Sequence, residues 1–161
     1  MVPAAIAALP SDLRPRLRVA HQARKEDHDR VVAAYRAAGV VAEVRHFFDD
    51  VPRRFAEAQL VVARSGASTI ADLTVIGRPS ILIPLPTATN DHQSANARPL
   101  ADAEAALMLP ESVLDVESLT RDMLAVLSDP ARAARMAAAA LALGRPDAAR
   151  RLYDLVTELA R

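Results

Sequence analysis

Polar side chains recur at the same spacing, i, i+1 and i+4, in two stretches of this chain. They are Ser68, Thr69 and Asp72 in "RSGASTIADL" (64–73), and His92, Gln93 and Asn96 in "TNDHQSANA" (89–97). On a helix, residues three or four positions apart share a face, so each triplet would form one cluster. Hydroxyl, carboxylate and amide groups clustered in this way suit a phosphate or a hydroxyl-rich ligand such as ribose or hexose.

The residues before the first triplet also favour a ligand. Ser65 and Gly66 precede it, and the chain has only four glycines. A glycine lets the backbone turn sharply and approach a ligand closely. The start of a helix adds free N–H groups and the positive end of the helix dipole. Asp72 could accept both hydroxyl protons of a vicinal diol, as an acidic residue does in dinucleotide sites.

Structural roles are the alternative for each stretch alone. Ser68 could be an N-cap, Asp72 could complement the helix dipole, and Asn90 or Asp91 could cap the next helix. Two such stretches in tandem, after neighbouring strands, favour a binding site. No metal-ligand spacing links the histidines, and no catalytic triad or pair of catalytic carboxylates can be assembled from the sequence.

The surrounding pattern alternates short apolar strands with helices. Predicted strands are 17–21, 42–48, 60–64, 80–85 and 106–110; predicted helices are 25–39, 51–58, 68–77, 91–105 (kinked at Pro99), 115–129, 130–144 and 146–161, with a short helix near the start. Continuous apolar strands that alternate with helices predict an α/β fold with a doubly wound, Rossmann-like parallel sheet. Ligands bind such sheets at the carboxyl ends of the strands, where both polar stretches begin.

Composition narrows the function further. The 161 residues fit a single domain, and the formal net charge of zero gives no reason to expect a nucleic-acid partner. The absence of cysteine excludes disulfides and thiolate chemistry, and it fits a cytoplasmic protein. No apolar run approaches the roughly 20 residues that a membrane-spanning helix needs. Of Phe47 and Phe48, we expect one to pack in the core. The other could lie against a flat base, but core packing is the default expectation for it as well.

Three segments together resemble the C-terminal domain of the MurG-type N-acetylglucosaminyltransferases of glycosyltransferase family 28. They are "LVVARSGASTIADL", "PSILIPLPTATNDHQSANARPL" and "AEAALMLP", in this order and spacing. The resemblance covers nearly the whole chain and implies the C-terminal half of a two-domain GT-B fold. In this family the C-terminal domain binds the donor UDP-GlcNAc. The N-terminal domain binds the acceptor lipid I, peripherally, at the cytoplasmic face of the inner membrane.

The resemblance also implies roles for individual residues. Phe48 would lie by the uracil, Asp72 would hold the ribose hydroxyls, and Ser65 counts among the donor-binding residues. The diphosphate–sugar region would be lined by Gly66, Ala67, Ser68 and Thr69, and the GlcNAc hydroxyls would be contacted by His92, Gln93 and Asn96. The catalytic base is expected from the other domain, so no catalytic residue, cofactor or metal is expected here, and the chain alone should be inactive.

Three departures from the family pattern carry expectations of their own. Asp72 replaces a usual Glu, and Glu104 replaces a usual helix-ending Gly, which predicts a different exit from that helix. The first strand and its Gly-rich loop are absent, which indicates a domain truncated at its N-terminus. The strands "LRVAH" and "LVVAR" would then lack their shared neighbour, unless the halves close up or a partner supplies a strand. A split glycosyltransferase subunit and a non-catalytic Rossmann-type module remain alternatives.

Overall fold

The computed structural model describes residues 1–160 and confirms the α/β class. Its strands are β1 (Arg18–Gln22), β2 (Val41–Arg45), β3 (Val61–Ala63), β4 (Ser80–Leu82) and β5 (Ala106–Met108). Its helices are α1 (Val2–Ala7), α2 (His28–Ala37), α3 (Val51–Glu57), α4 (Ala67–Ile76), α5 (His92–Asp102), α6 (Val116–Leu127), α7 (Pro130–Leu143) and α8 (Ala148–Leu159). Short 3-10 turns occupy Arg14–Arg16, Lys25–Asp27, Thr89–Asp91 and Glu111–Val113.

The strands form two separate parallel sheets within the described residues. One has the order β1-β2 and the other β3-β4-β5, so that β1 and β3 are not hydrogen-bonded to each other. This confirms the predicted break between the "LRVAH" and "LVVAR" strands, and it shows that the two halves do not close up. One hydrophobic core nevertheless joins the sheets, because Val19 and Val44 belong to the same cluster as Val62 and Ile81.

Four of the five strands, β2 to β5, are shorter than the sequence predicted, and β2 and β4 show why. β2 stops at Arg45, which pairs with the last residue of β1, Gln22. Phe47 and Phe48 therefore lie in the following loop rather than in the strand. β4 stops at Leu82, and the next backbone amide, that of Ile83, still donates to the carbonyl of Ala63 (2.9 Å). Proline at position 84 then has no N–H to continue the ladder.

Left-handed residues end three helices that lead into strands. Gly39 (φ +68°) follows α2 and Gly77 (φ +73°) follows α4, as the glycine positions predicted. Glu104 after α5 has φ +56°, and two hydrogen bonds complete a Schellman motif: Ala105 N–H to Leu100 C=O (2.8 Å) and Glu104 N–H to Ala101 C=O (3.0 Å). The predicted different exit from α5 is therefore wrong, because glutamate adopts the backbone conformation that glycine would have.

Packing against α7 fixes the position of α4. A Cβ atom on Gly77 would overlap the side chain of Leu141, and one on Gly144 would lie 2.8 Å from the carbonyl oxygen of Thr74. These close approaches hold the C-terminal half of α4, so that its first turn faces the carboxyl ends of β3 and β4. Within residues 1–160, every helix is too short or too polar to cross a bilayer.

Candidate functional site

Hydrogen bonds join the two polar stretches at the carboxyl ends of β3 and β4. The hydroxyl of Ser65 donates to the backbone carbonyl of Gln93 (2.8 Å), and Asn96 Nδ2 donates to the carbonyl of Ser65 (3.1 Å). The backbone N–H of Leu85 donates to Gln93 Oε1 (3.0 Å). The structure thus brings α4 and α5 side by side at one edge of the sheet, as the strand order predicted.

These three hydrogen bonds form a brace between the loops that lead into α4 and α5. The brace changes what three of the predicted site residues can offer a ligand. Ser65 is completely buried, and its hydroxyl is committed to Gln93, so its contribution is to hold the two loops together. Gln93 and Asn96 each use one end of the side-chain amide within the protein. The Gln93 NH2 group and the Asn96 Oδ1 atom have no hydrogen-bond partner among residues 1–160, and they stay available to a ligand.

Arg64 ties the ends of the three neighbouring strands. Its guanidinium donates to the carbonyl oxygens of Ile83 (3.2 Å) and Pro84 (3.1 Å), and it pairs with the carboxylate of Glu111 at 3.3 Å. Ile83 and Pro84 follow β4, whereas Glu111 follows β5. Helical spacing did not single out Arg64, although its place directly before Ser-Gly at a strand end could have indicated a role at the site.

The first turn of α4 is not capped by a side chain. Gly66 occupies the N-cap position, so Ser68 is a residue of the first helical turn, and the alternative that it is only an N-cap is wrong. The hydroxyls of Ser68 and Thr69 and the carboxylate of Asp72 take part in no hydrogen bond or ion pair with the described part of the chain. The helix therefore presents free N–H groups, two free hydroxyls and, one turn later, a free carboxylate.

Gly66 has an ordinary extended backbone (φ −63°, ψ 150°), so the sharp turn predicted for it is wrong. A Cβ atom there would meet only Thr69 Oγ1, at 4.0 Å, and the protein itself leaves the space beside Gly66 empty. Two physical reasons remain for a glycine at this position: its preference for the N-cap over most other residues, and the close approach of a ligand.

The segment before α5 has an unusual backbone. Asn90 (φ +52°) and Asp91 (φ +51°) are both left-handed, and neither side chain caps the helix, so the alternative that they serve only as caps is wrong. His92 Nδ1 lies 2.8 Å from the carbonyl oxygen of Thr89. Because a carbonyl only accepts, we assign the proton to Nδ1, which leaves Nε2 of this exposed ring as an acceptor for a ligand.

The two phenylalanines after β2 differ sharply in exposure. Phe48, which the resemblance places by the uracil, is only 5% exposed, and the Arg54 guanidinium lies 4.0 Å from the centre of its ring. Its ring has no free face on which a base could stack, so Phe48 is the phenylalanine that packs in the core. Core packing is wrong for Phe47. Phe47 is 71% exposed and is the available aromatic ring in this loop.

A metal site is not evident in the part of the chain that the structure describes, because it contains no group of three or more His, Asp or Glu side chains that could hold an ion. The histidine rings of His28 and His46 do pack together, with centroids 4.9 Å apart. The residues that surround the two helix starts therefore offer hydrogen bonds and a helix dipole, which suit a neutral sugar and an anionic phosphate.

Comparison with known proteins gives closely related sequences. A Rhodospirillum centenum protein named UDP-N-acetylglucosamine--N-acetylmuramyl-(pentapeptide) pyrophosphoryl-undecaprenol N-acetylglucosamine transferase is 51% identical over 156 residues, which is 97% of this chain and 41% of the relative. A Methylobacterium protein of the same name is 52% identical over 161 aligned residues, 99% of this chain and 43% of the relative. The chain thus spans less than half the length of these relatives.

Solved structures match as well. MurG from Acinetobacter baumannii superimposes with a TM-score of 0.85 at 29% identity, over 98% of this chain and 44% of that protein. The spinosyn rhamnosyltransferase SpnG, solved with thymidine diphosphate, shares the fold at a TM-score of 0.55 and 23% identity, over 92% of this chain and 47% of that protein. The family model "Glycosyltransferase family 28 C-terminal domain" matches residues 2–152. The chain therefore belongs to the glycosyltransferase family 28 C-terminal domain family.

Proposed function

We propose that this chain is the donor-binding part of an N-acetylglucosaminyltransferase that transfers GlcNAc from UDP-GlcNAc to lipid I. The observation that carries the proposal is the uncapped start of α4, where uncommitted hydroxyls and a carboxylate lie beside an α5 braced against the same loop. Relatives that bear this enzyme's name are 51% and 52% identical to the chain. The activity of the whole protein is proposed from them, since the chain spans less than half their length.

The start of α4 suits the diphosphate of such a donor. Its first N–H groups have no capping side chain, and the positive end of the helix dipole favours an anion. Ser68 and Thr69 add hydroxyl donors in the same turn, and the open space at Gly66 lets a phosphate reach the backbone. Arg64 and Ser65 hold the segment before α4 in place through hydrogen bonds to other parts of the protein, and in this proposal they make no contact with the ligand.

Asp72 is the candidate for the ribose. It lies one turn beyond Ser68 on α4, and its carboxylate is free to accept hydrogen bonds from the 2′- and 3′-hydroxyls. Aspartate is one methylene shorter than the Glu usual in this family, and a bridging water would make up the missing reach at little cost in binding free energy.

The start of α5 suits a neutral sugar. His92 Nε2 and Asn96 Oδ1 are acceptors, and the Gln93 NH2 group is a donor, so together they can match sugar hydroxyls that both donate and accept. The internal hydrogen bonds of Gln93 and Asn96 fix the orientation of both side-chain amides before a ligand arrives. A fixed orientation reduces the entropy lost on binding.

The transfer itself needs a group that this chain does not supply. The 4-hydroxyl oxygen of the acceptor attacks the anomeric carbon of GlcNAc, the bond from that carbon to UDP breaks with inversion, and UDP leaves with the bonding electrons. A base takes the hydroxyl proton, and we assign no residue of this chain to that role. The chain alone is therefore predicted to be inactive, and activity of the isolated chain on lipid I would contradict this division of roles. Contact with lipid I, and with the cytoplasmic face of the membrane, belongs to the rest of the longer protein in this proposal.

Calorimetric titration with UDP-GlcNAc, UDP and 2′-deoxy-UDP tests the proposal. The chain should bind the first two and discriminate against the third. Asp72→Asn should weaken UDP binding by about ten- to hundredfold, the equivalent of about 1.5–3 kcal/mol for hydrogen bonds to a charged group. It should also reduce the preference for UDP over 2′-deoxy-UDP.

Asp154→Asn is the matched control, because it removes an exposed carboxylate on α8. It should bind all three ligands like the wild type. No heat with any uridine ligand, from a sample shown to be folded by circular dichroism, would contradict the proposal and favour a non-catalytic interaction module.

A further inference from the structure

A charged network between β2 and α3 surrounds the buried ring of Phe48. Arg54, on α3, donates to both carboxylate oxygens of Glu43 on β2 (2.7 and 3.3 Å) and to Asp50 just before the helix (2.6 Å). Its guanidinium carbon lies 4.0 Å from the centre of the Phe48 ring. Arg45 pairs with Glu43 at 2.6 Å and lies 5.7 Å from the same ring. Both ends of the loop at positions 46–50 are therefore fastened to one guanidinium.

The preceding residue of the helix, also an arginine, shows how unusual this arrangement is. The side chain of Arg54 is only 22% exposed, and it combines a two-point carboxylate contact with packing on an aromatic face. Arg53 is 75% exposed and makes a single i, i+4 contact with Glu57 at 3.0 Å. Exposed pairs of that kind contribute little to stability, so these neighbouring arginines form a natural test and control.

The fastened loop lies at the same edge of the fold as the candidate site. It follows the carboxyl end of β2, as the Ser65–Gly66 segment follows the carboxyl end of β3. The helix that carries Arg54, α3, packs against α4, whose first turn is the proposed diphosphate site. Phe47, next to the clamped ring, points into solvent with 71% of its surface exposed. Arg54 thus connects β2, the ring of Phe48 and Asp50, the last residue of the loop that carries the exposed Phe47.

We infer that Arg54 is a positioning residue, which holds Phe48 and thereby fixes the 46–50 loop as the wall of the site that meets the nucleoside base. This inference rests on the proposed function, in which the chain binds a uridine diphosphate sugar. Arg54 itself is covered by Glu43, Asp50 and Phe48, and it acts on the ligand only through the loop. The ion pair between Arg54 and Glu43 holds the loop in place and makes no contact with the ligand in this proposal.

Titration of the 161-residue chain with UDP and with ADP tests this role. Arg54→Met keeps the aliphatic stem and removes the charged fork, and Arg53→Met is the matched control. We expect R54M to weaken UDP binding by about 2- to 30-fold, the range for residues that act on a site without touching the ligand. The preference for UDP over ADP should fall as well, because a displaced loop no longer matches one base. Arg54→Lys, which keeps the charge, should restore part of both.

The outcomes separate the inference from the proposed function. If the wild-type chain binds neither nucleotide, the proposed function fails, and the inference fails with it. If the wild type and R53M bind UDP, and R54M shows the same affinity and the same preference over ADP, only the inference is overturned. If R54M melts at a lower temperature than R53M, Asp50→Asn decides the matter. An unchanged UDP preference in D50N would overturn the inference, and a reduced preference would support it.

Discussion

Replacement of Gly66 by alanine separates the needs of the fold from the needs of a ligand. The backbone at Gly66 (φ −63°, ψ 150°) is one that alanine adopts without strain, and the new methyl group would meet only Thr69 Oγ1, at 4.0 Å. The fold therefore gives no steric reason for glycine here. A phosphate that approaches the first N–H groups of α4 would, by contrast, meet the added methyl group.

The expected change in stability is small because two effects oppose each other. Gly-to-Ala substitution in a compatible conformation stabilises by about 0.4–1 kcal/mol through the entropy of the unfolded chain. Alanine is a poorer N-cap residue than glycine, which costs about 0.5–1 kcal/mol. The free energy of unfolding should therefore stay within about 0.5 kcal/mol of wild type. The affinity for UDP-GlcNAc should fall at least about tenfold, which corresponds to about 1.4 kcal/mol.

Urea denaturation and calorimetric titration of the same samples measure the two quantities. Gly77→Ala is the contrasting control, because Gly77 has φ +73° and its Cβ would overlap Leu141. That variant should lose about 1–3 kcal/mol of stability and keep the ligand affinity of its folded fraction. G66A with full stability and unchanged affinity for UDP-GlcNAc would refute the argument that the empty space beside Gly66 receives a ligand.

Three further predictions follow from contacts described above. Glu104→Gly should raise the free energy of unfolding by about 0.5–1 kcal/mol in urea denaturation. Glycine removes the strain of a side chain at a left-handed position, and this gain exceeds the greater entropy of glycine in the unfolded chain. Ser65→Ala should lower it by about 1–2 kcal/mol, since the buried hydroxyl bonded to Gln93 is lost. The stability lost in R54M should depend on pH, because hydrogen bonds from Arg54 lower the pKa of Glu43 and of Asp50 in the folded chain. The contribution of these two ion pairs to the free energy of unfolding is complete above about pH 5 and is lost as the pH falls below about 4.

Each of these predictions has an outcome that contradicts it. A destabilised E104G would mean that the glutamate side chain makes up for its backbone strain. An S65A variant as stable as wild type would show that the hydrogen bond from Ser65 to Gln93 does not hold α4 and α5 together. A stability difference between wild type and R54M that is the same at pH 3 and pH 7, in parallel urea titrations, would show that the two carboxylates do not contribute through their charge.

Periodicity and glycine positions were enough to predict most of the fold. Apolar β-branched runs located every strand, and Gly39 and Gly77 correctly marked the ends of α2 and α4. The end of β2 could not be predicted, because alternation continues through Phe47 while pairing stops where β1 stops. The end of α5 was wrong because a local rule, glycine at a left-handed position, was overridden by hydrogen bonds to Leu100 and Ala101 that the sequence does not display.

The candidate site was predicted in its location more fully than in the role of each residue. Helical spacing grouped Ser68 with Asp72 and His92 with Asn96, and the strand order placed both groups at one edge. Spacing cannot tell whether a polar side chain points to a ligand or to the neighbouring loop, and Ser65 does the latter. One part of the network at Arg54 could be predicted, because Asp50 and Arg54 have i, i+4 spacing. Its link to Glu43 could not, because it depends on where the tertiary fold places α3 relative to β2.

The split between the two sheets has a consequence for local opening of the native state. β4 has hydrogen-bonded neighbours on both sides, whereas β1 and β3 each have an edge that no described strand covers. Alternate amides along those edges should exchange with deuterium readily, and the amides of Ser80–Leu82 should be among the slowest to exchange. The loop that leads into α5 would then follow the strand that unfolds locally least often, whereas the β1–β2 sheet would unfold locally more often.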